Sequence, residues 1–186
     1  MKWFKIAMLA SLVALPAASV VKAADLDPPA PAGDPSMTGF YLRGDLGWSW
    51  LDWDGGDNDN AFVGGAGLGY QFTDMFRADI TGNWTGKYDI GPGDISTTAL
   101  MANAYLDLPN STPFTPYVGV GAGYGWVNGS GGADDDSGVA LGATVGASAA
   151  LSNNLSVDVG YHFRQILIDG DDPREHQVTA GLRFSF

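Results

Sequence analysis

The twelve residues Glu175–Phe186 (EHQVTAGLRFSF) alternate strictly: Val178, Ala180, Leu182, Phe184 and Phe186 fall on one side of an extended chain, with polar or small residues between them. A period of two places the sets on opposite faces of a strand, so each face meets a different medium. A closing phenylalanine on the apolar face needs an apolar place to go. The same alternation recurs in upstream segments, and amphipathic strands joined by polar turns predict a transmembrane β-barrel.

Reading from Thr38 with the same period, Phe40, Leu42, Leu46, Trp48 and Trp50 share one face, while Tyr41, Arg43, Asp45 and Ser49 share the other. Similar strands are expected over Asn60–Phe72, Phe76–Thr85, Thr97–Leu108, Pro116–Val127, Val139–Leu151 and Leu155–Gln165. The connections 73–75, 109–115 and 152–154 are shorter than 51–59, 86–95, 128–138 and 166–174. Short turns at one end and long loops at the other imply an up-and-down order with both barrel termini on the short-turn, periplasmic side. Outward aromatics gather toward the strand ends. Phe40, Tyr70, Phe72, Phe76, Phe184 and Phe186 fall at one end, and Trp48, Trp50, Phe62, Trp84, Tyr124, Trp126, Tyr161 and Phe163 at the other. Two such girdles mark two bilayer interfaces. The expected fold is all-β, an eight-stranded antiparallel up-and-down transmembrane β-barrel over residues 38–186.

The start of the chain sets the compartment. Lys2 and Lys5 precede an apolar run from Ile6 to Leu15, then small residues up to Val21-Lys22-Ala23. This run is too short to span a bilayer and has the layout of a secretory signal peptide over residues 1–23, cleaved after Ala23 or Ala24. Residues 24–37, with Pro28, Pro29, Pro31 and Pro35 and no periodicity, read as an extended periplasmic linker. Lys2, Lys5 and Lys22 belong to the signal, which leaves six of the nine basic residues against all 21 acidic ones. So negative a balance argues against nucleic-acid binding. The absence of cysteine excludes disulfide frameworks and thiolate metal sites.

The polar face carries Arg43, Arg77, Arg164 and Arg183 against Asp45, Asp79, Asp107, Asp158 and Glu175, and no lysine. A soluble barrel of lipocalin type would turn this face to water and would favour Lys and Glu there. Near balance and a preference for the forked guanidinium suit a lumen instead, because buried charge must be paired. Each arginine is expected to contact at least one of these acids, with Arg77 and Asp79 a candidate pair. Gly65, Gly67 and Gly69, and likewise Gly119, Gly121, Gly123 and Gly125, lie at alternate positions and hence on one face. In a narrow lumen they are expected to make room for the arginines. Their spacing fits neither phosphate-binding loop, G-x-G-x-x-G or G-x-x-x-x-G-K before a helix.

Catalysis finds little support. A lipid-modifying barrel needs a His and a Ser together on the outward face near the membrane edge. His162 points inward with Arg164 two residues on, and His176 is followed at that spacing by Val178. His162 is expected to join the network of Asp158 and Arg164. No cofactor is implied. The surplus acids gather in the long connections: Asp52, Asp54, Asp57 and Asp59, then Asp89 and Asp94, then Asp134, Asp135 and Asp136, then Asp169, Asp171 and Asp172. They read as solubilising loops. Asp52, Asp54, Asp57, Asp59, Asp134, Asp135 and Asp136 are also candidate ligands for Ca²⁺ or Mg²⁺ bridging to lipopolysaccharide phosphates, although the connection 51–59 has no glutamate at EF-hand spacing.

Four segments, GFYLRGDLGWSW (Gly39–Trp50), GYQFTDMFRADI (Gly69–Ile80), LMANAYLDL before TPFTPYVGVGAGYG, and VTAGLRFSF, carry a family resemblance. In this order, behind a signal peptide, they resemble the alphaproteobacterial small outer-membrane β-barrel proteins. That is a porin-like surface-antigen family, similar in architecture to the membrane domain of the enterobacterial outer-membrane protein A. The resemblance implies a Gram-negative outer-membrane location, a non-enzymatic structural and surface role, contacts with outer-membrane lipid and lipopolysaccharide, and a monomer. It further implies that Thr179, Gly181, Phe184 and Phe186 form the insertion signal read by the barrel-assembly machinery. The rival functions are a narrow porin-like channel and a lipid-A-modifying enzyme.

Overall fold

The computed structural model describes residues 38–52, 59–89, 94–130, 135–168 and 174–186. Among these residues the strands are β1 (Gly39–Asp52), β2 (Asp59–Gln71), β3 (Phe76–Thr85), β4 (Tyr88–Asp89), β5 (Asp94–Asp107), β6 (Phe114–Ser130), β7 (Asp136–Ala150), β8 (Leu155–Leu167) and β9 (Arg174–Ser185). The order β3-β2-β1-β9-β8-β7-β6-β5 closes through a β3–β5 pairing, which makes an antiparallel barrel of eight staves. The two-residue β4 is an accessory strand paired to β5. Closure pairs every stave on both sides, the condition for a sheet lying in hydrocarbon.

The alternation decides which side chains face out. Leu46, Ile80, Val120 and Leu182 are 61, 59, 67 and 53 % exposed, while Arg77 and Glu175 have no exposed surface. An apolar exterior of this kind needs lipid, not water, around it. The outward aromatics pair edge to face within each girdle: Phe40 with Tyr70 and Phe184 with Phe186 at the short-turn end, and Trp48 with Phe62 and Tyr124 with Trp126 at the other. The short turns are closed by side chains whose oxygens mimic a backbone acceptor. Thr73 Oγ1 accepts from Phe76 N at 3.0 Å, Asn110 Oδ1 from Thr112 N at 2.7 Å, and Ser152 Oγ from Leu155 N at 3.2 Å.

The staves run further than predicted at the long-connection end. β5 begins at Asp94 rather than Thr97, β6 continues to Ser130, and β8 continues to Leu167. Asp52, Asp59, Asp94 and Asp136 are therefore strand-terminal residues rather than loop residues, and Asp89 belongs to β4. The reason is an inversion of polarity. Above the tryptophan girdle the period of two persists, but Leu51, Ala61, Ile95, Val127 and Ile166 are buried inside, and Asn60, Asn128 and Ser130 are exposed outside. A stretch whose apolar face is the inner one resembles a loop when judged by the membrane scheme.

Candidate functional site

The lumen is filled in tiers. Near the short turns, Arg77 lies between two rings, with its Cζ 4.4 Å from the Tyr105 centroid and 4.7 Å from that of Tyr117. Its Nε donates to the Asp107 oxygens at 3.1 and 3.0 Å, and its Nη1 and Nη2 have no hydrogen-bond acceptor among the described residues. In the same tier Arg183 donates to Asp158 Oδ2 and Gln71 Oε1, both at 3.2 Å, and to Ser148 Oγ at 2.8 Å.

In the middle tier Arg43 grips Asp45 with two donors, Nε to Oδ2 and Nη2 to Oδ1, each at 2.8 Å. Its Nη1 donates to Asp79 Oδ2 at 3.2 Å and to the Tyr105 hydroxyl at 3.0 Å. Asp79 also accepts from the Tyr41 hydroxyl at 3.0 Å and from Asn103 Nδ2 at 2.8 Å. Such fork geometry with filled acceptor positions is what a low-dielectric interior requires of an ion pair. A cavity of about 50 Å³ beside it is lined by Arg43, Asp45, Asn103, Thr144, His162 and Gln177, among others.

Higher still, Arg164 Nε donates to Glu175 Oε2 at 2.6 Å, and Arg164 Nη2 pairs with the same carboxylate. Thr97 Oγ1 donates to Glu175 Oε1 at 2.5 Å, and Gln177 Nε2 to Oε2 at 3.3 Å. Above this pair the interior turns apolar, with Leu51, Ala61, Tyr88, Ile95, Val127 and Ile166 in one cluster. The sequence pattern does not predict this tier, because it places Leu51, Ile95 and Ile166 in the connections 51–59, 86–95 and 166–174. The signal that reveals it is the continued period of two past the girdle.

Three sequence expectations need correction. Arg77 pairs with Asp107 and not with Asp79. Its register partner on β5 is Tyr105, which brings Asp107 beside it, whereas Asp79 turns to Arg43 one tier away. His162 sits between hydroxyls, with Nδ1 3.0 Å from Thr144 Oγ1 and Nε2 3.0 Å from Thr179 Oγ1, instead of joining Asp158 and Arg164, which lie in the tiers below and above. The lumenal glycines accommodate tyrosines more than arginines. Tyr41, Tyr105 and Tyr117 lie directly across from Gly69, Gly119 and Gly146. A Cβ on Gly119 would stand 2.5 Å from Tyr105 Cδ1, and one on Gly146 would stand 2.5 Å from Tyr117 Cζ. Gly67, where a Cβ would meet Arg43 Cγ at 3.3 Å, does serve an arginine.

Of the acidic candidates, Asp54, Asp57 and Asp134 lie outside the described residues, as do the side chains of Asp52 and Asp59. Asp169, Asp171 and Asp172 also lie outside them. Asp135 Oδ1 accepts from Gly129 N at 2.8 Å and Asp136 Oδ1 from Ser137 N at 2.7 Å. No cluster among the described residues is arranged to hold a metal ion. On β9, Thr179 and Gly181 face the lumen and Phe184 faces out, as does Phe186 just beyond the strand. His176 lies on the outer face across from Trp50, with its Nδ1 2.6 Å from the Tyr161 hydroxyl.

Residues 7–186 match a family model described as an outer membrane protein beta-barrel domain. An uncharacterized protein of Brucella abortus is 25% identical over an alignment spanning 84% of this chain and 88% of its own length. Outer membrane protein PagN of Salmonella typhimurium is 29% identical over 55% of this chain and 56% of its own. Among solved structures, Neisserial surface protein A superposes with a TM-score of 0.72 at 22% identity, covering 80% of this chain and 98% of that one.

Proposed function

This chain belongs to the outer membrane protein β-barrel family and is an integral outer-membrane barrel, and from that premise we propose that its role is structural and surface-presenting. It braces the envelope and holds an acidic rim at the cell surface. The observation that carries this reading is the packed lumen. Tyrosine–arginine, carboxylate–arginine and apolar tiers follow one another along the axis, and a cavity of about 50 Å³ has room for only a water molecule or two. An eight-stranded barrel filled in this way offers a hydrated ion no continuous path. Recording from the refolded protein in a planar bilayer tests the reading directly. A quiet baseline is expected, and a steady large conductance would replace it with the porin-like alternative.

The lipid-A-modifying alternative needs a base held by a carboxylate and set against a nucleophile. The described hydrogen bonds of His162 and His176 are instead to Thr144, Thr179 and Tyr161. Lipid A from cells with and without the protein should give the same mass spectrum. The proposal also covers export by residues 1–23, a tether over residues 24–37 and a monomeric barrel seated among lipid and lipopolysaccharide. Insertion by the barrel-assembly machinery would use Thr179, Gly181, Phe184 and Phe186, and the outward, edge-to-face pair Phe184–Phe186 supports that part.

A further inference from the structure

We propose that the apolar tier is a stopper that seals the polar lumen against the cell surface, and that Tyr88 is its removable piece. Three observations carry this. First, the inversion of polarity above the tryptophan girdle places the rim in water, where apolar residues facing inward form a core of their own: Leu51, Ile95, Val127 and Ile166 are at most 3% exposed. Second, this core lies directly over an ion pair that depends on dryness. Glu175 has no exposed surface, its oxygens are taken up by Thr97, Arg164 and Gln177, and exclusion of water strengthens each of these contacts. Third, Tyr88 is the one member of the cluster, among the described residues, that comes from outside the eight staves.

The staves contribute most of the stopper, and Leu51 and Val127 sit where their stave is paired on both sides. Tyr88 comes instead from the two-residue β4, which pairs with β5 alone among the described residues. Its fully buried ring is held by a hydroxyl donated to Ser49 Oγ at 2.6 Å. Beside it, Lys87 Nζ lies 3.1 Å from Asp94 Oδ2 across the β4–β5 hairpin, with the Lys87 side chain 70% and that of Asp94 42% exposed. An exposed pair of this kind contributes little, and a two-residue strand opens far more readily than the barrel unfolds. When Tyr88 withdraws, the ceiling over Ser49, Thr97 and Glu175 loses its largest ring, and the lumen becomes accessible from outside.

The chain contains no cysteine, so a single introduced thiol reports on access. Ser49→Cys lies directly beneath Tyr88, whose hydroxyl reaches Ser49 Oγ at 2.6 Å, and Ser130→Cys on the exposed rim serves as the control. Both full-length barrels, reconstituted with the rim outward, are treated from outside with a small, membrane-impermeant cationic methanethiosulfonate. With Tyr88 in place, Ser49→Cys should react at least about tenfold more slowly than the control, and adding Tyr88→Ala should remove most of that difference. Tyr88→Phe, which keeps the ring, should leave the lumen slow to label. Rapid labelling of Ser49→Cys with Tyr88 intact would overturn the seal. No acceleration in a Tyr88→Ala barrel that still shows the gel mobility of the folded form would overturn the role of Tyr88. If Tyr88→Ala does not fold, Tyr88→Leu, which gives up the ring and its hydroxyl but keeps an apolar side chain, decides: a severalfold faster reaction supports the proposal, and an unchanged rate refutes it.

Discussion

Removing the Asp107 carboxylate should cost more than removing the Arg77 guanidinium, although the two form one pair. Arg77 is fully buried, and among the described residues Asp107 accepts its only hydrogen bonds. Asp107→Ala therefore strands a cation that cannot shed its proton, a loss of about 3–5 kcal/mol. Arg77→Met gives up the contact with Tyr105 and Tyr117, about 2 kcal/mol for a desolvated cation against aromatic faces, but keeps the slot between the rings filled. It leaves a carboxyl group that can take up a proton and still accepts from Gln71 Nε2 at 3.3 Å. In the double variant neither charge remains, so its stability should match that of Arg77→Met alone. Urea titrations of each barrel in lipid vesicles, followed by the gel mobility of the folded form, measure all three. If the single losses add to within about 0.5 kcal/mol in the double variant, the direct coupling is refuted.

Three further outcomes are expected. Ala102→Arg, on the outer face at mid-strand, should destabilise the barrel in lipid by about 2–4 kcal/mol, while Ala102→Leu should be near neutral; equal effects in the same titration would mean that the face is not lipid-exposed. Gly119→Val should cost about 1–3 kcal/mol by pushing Tyr105 off its neighbour, and Tyr105→Ala should relieve most of that loss; no relief would separate the glycine from the ring. Phe186→Ser removes one ring from a girdle of several, so refolding in vitro should change only modestly, whereas its level in the outer membrane of cells should fall; a normal cellular level would reject the insertion-signal proposal.

The in-and-out pattern of the membrane-spanning part was legible because a strict period of two leaves few alternatives once one face is apolar. The identities of the charged lumenal residues followed from the same rule. What the pattern could not supply was who meets whom across the lumen. Arg77 and Asp79 share a face and look like neighbours, yet cross-strand placement gives Arg77 to Asp107 and Asp79 to Arg43. The tyrosines were visible on the polar face, but their need for a glycine directly opposite emerges only from register. The rim was misjudged because its solvent differs from that of the staves below. Leu51 and Ile95 obey the same alternation as Trp50 and Leu100, with water and core exchanged.

The tyrosine–glycine contacts bear on how the barrel chooses its shear. If β7 slid by two residues against β6, every side chain would keep its face, and the bilayer could not tell the two sheets apart. Solvation therefore selects the faces and leaves the stagger degenerate. Steric fit removes that degeneracy: Tyr117 lies flat only over Gly146, and a slip in either sense would set it against Thr144 or Ser148. Because stagger and strand number together fix the diameter of a closed sheet, three rings on three glycines gauge the width of the whole cylinder.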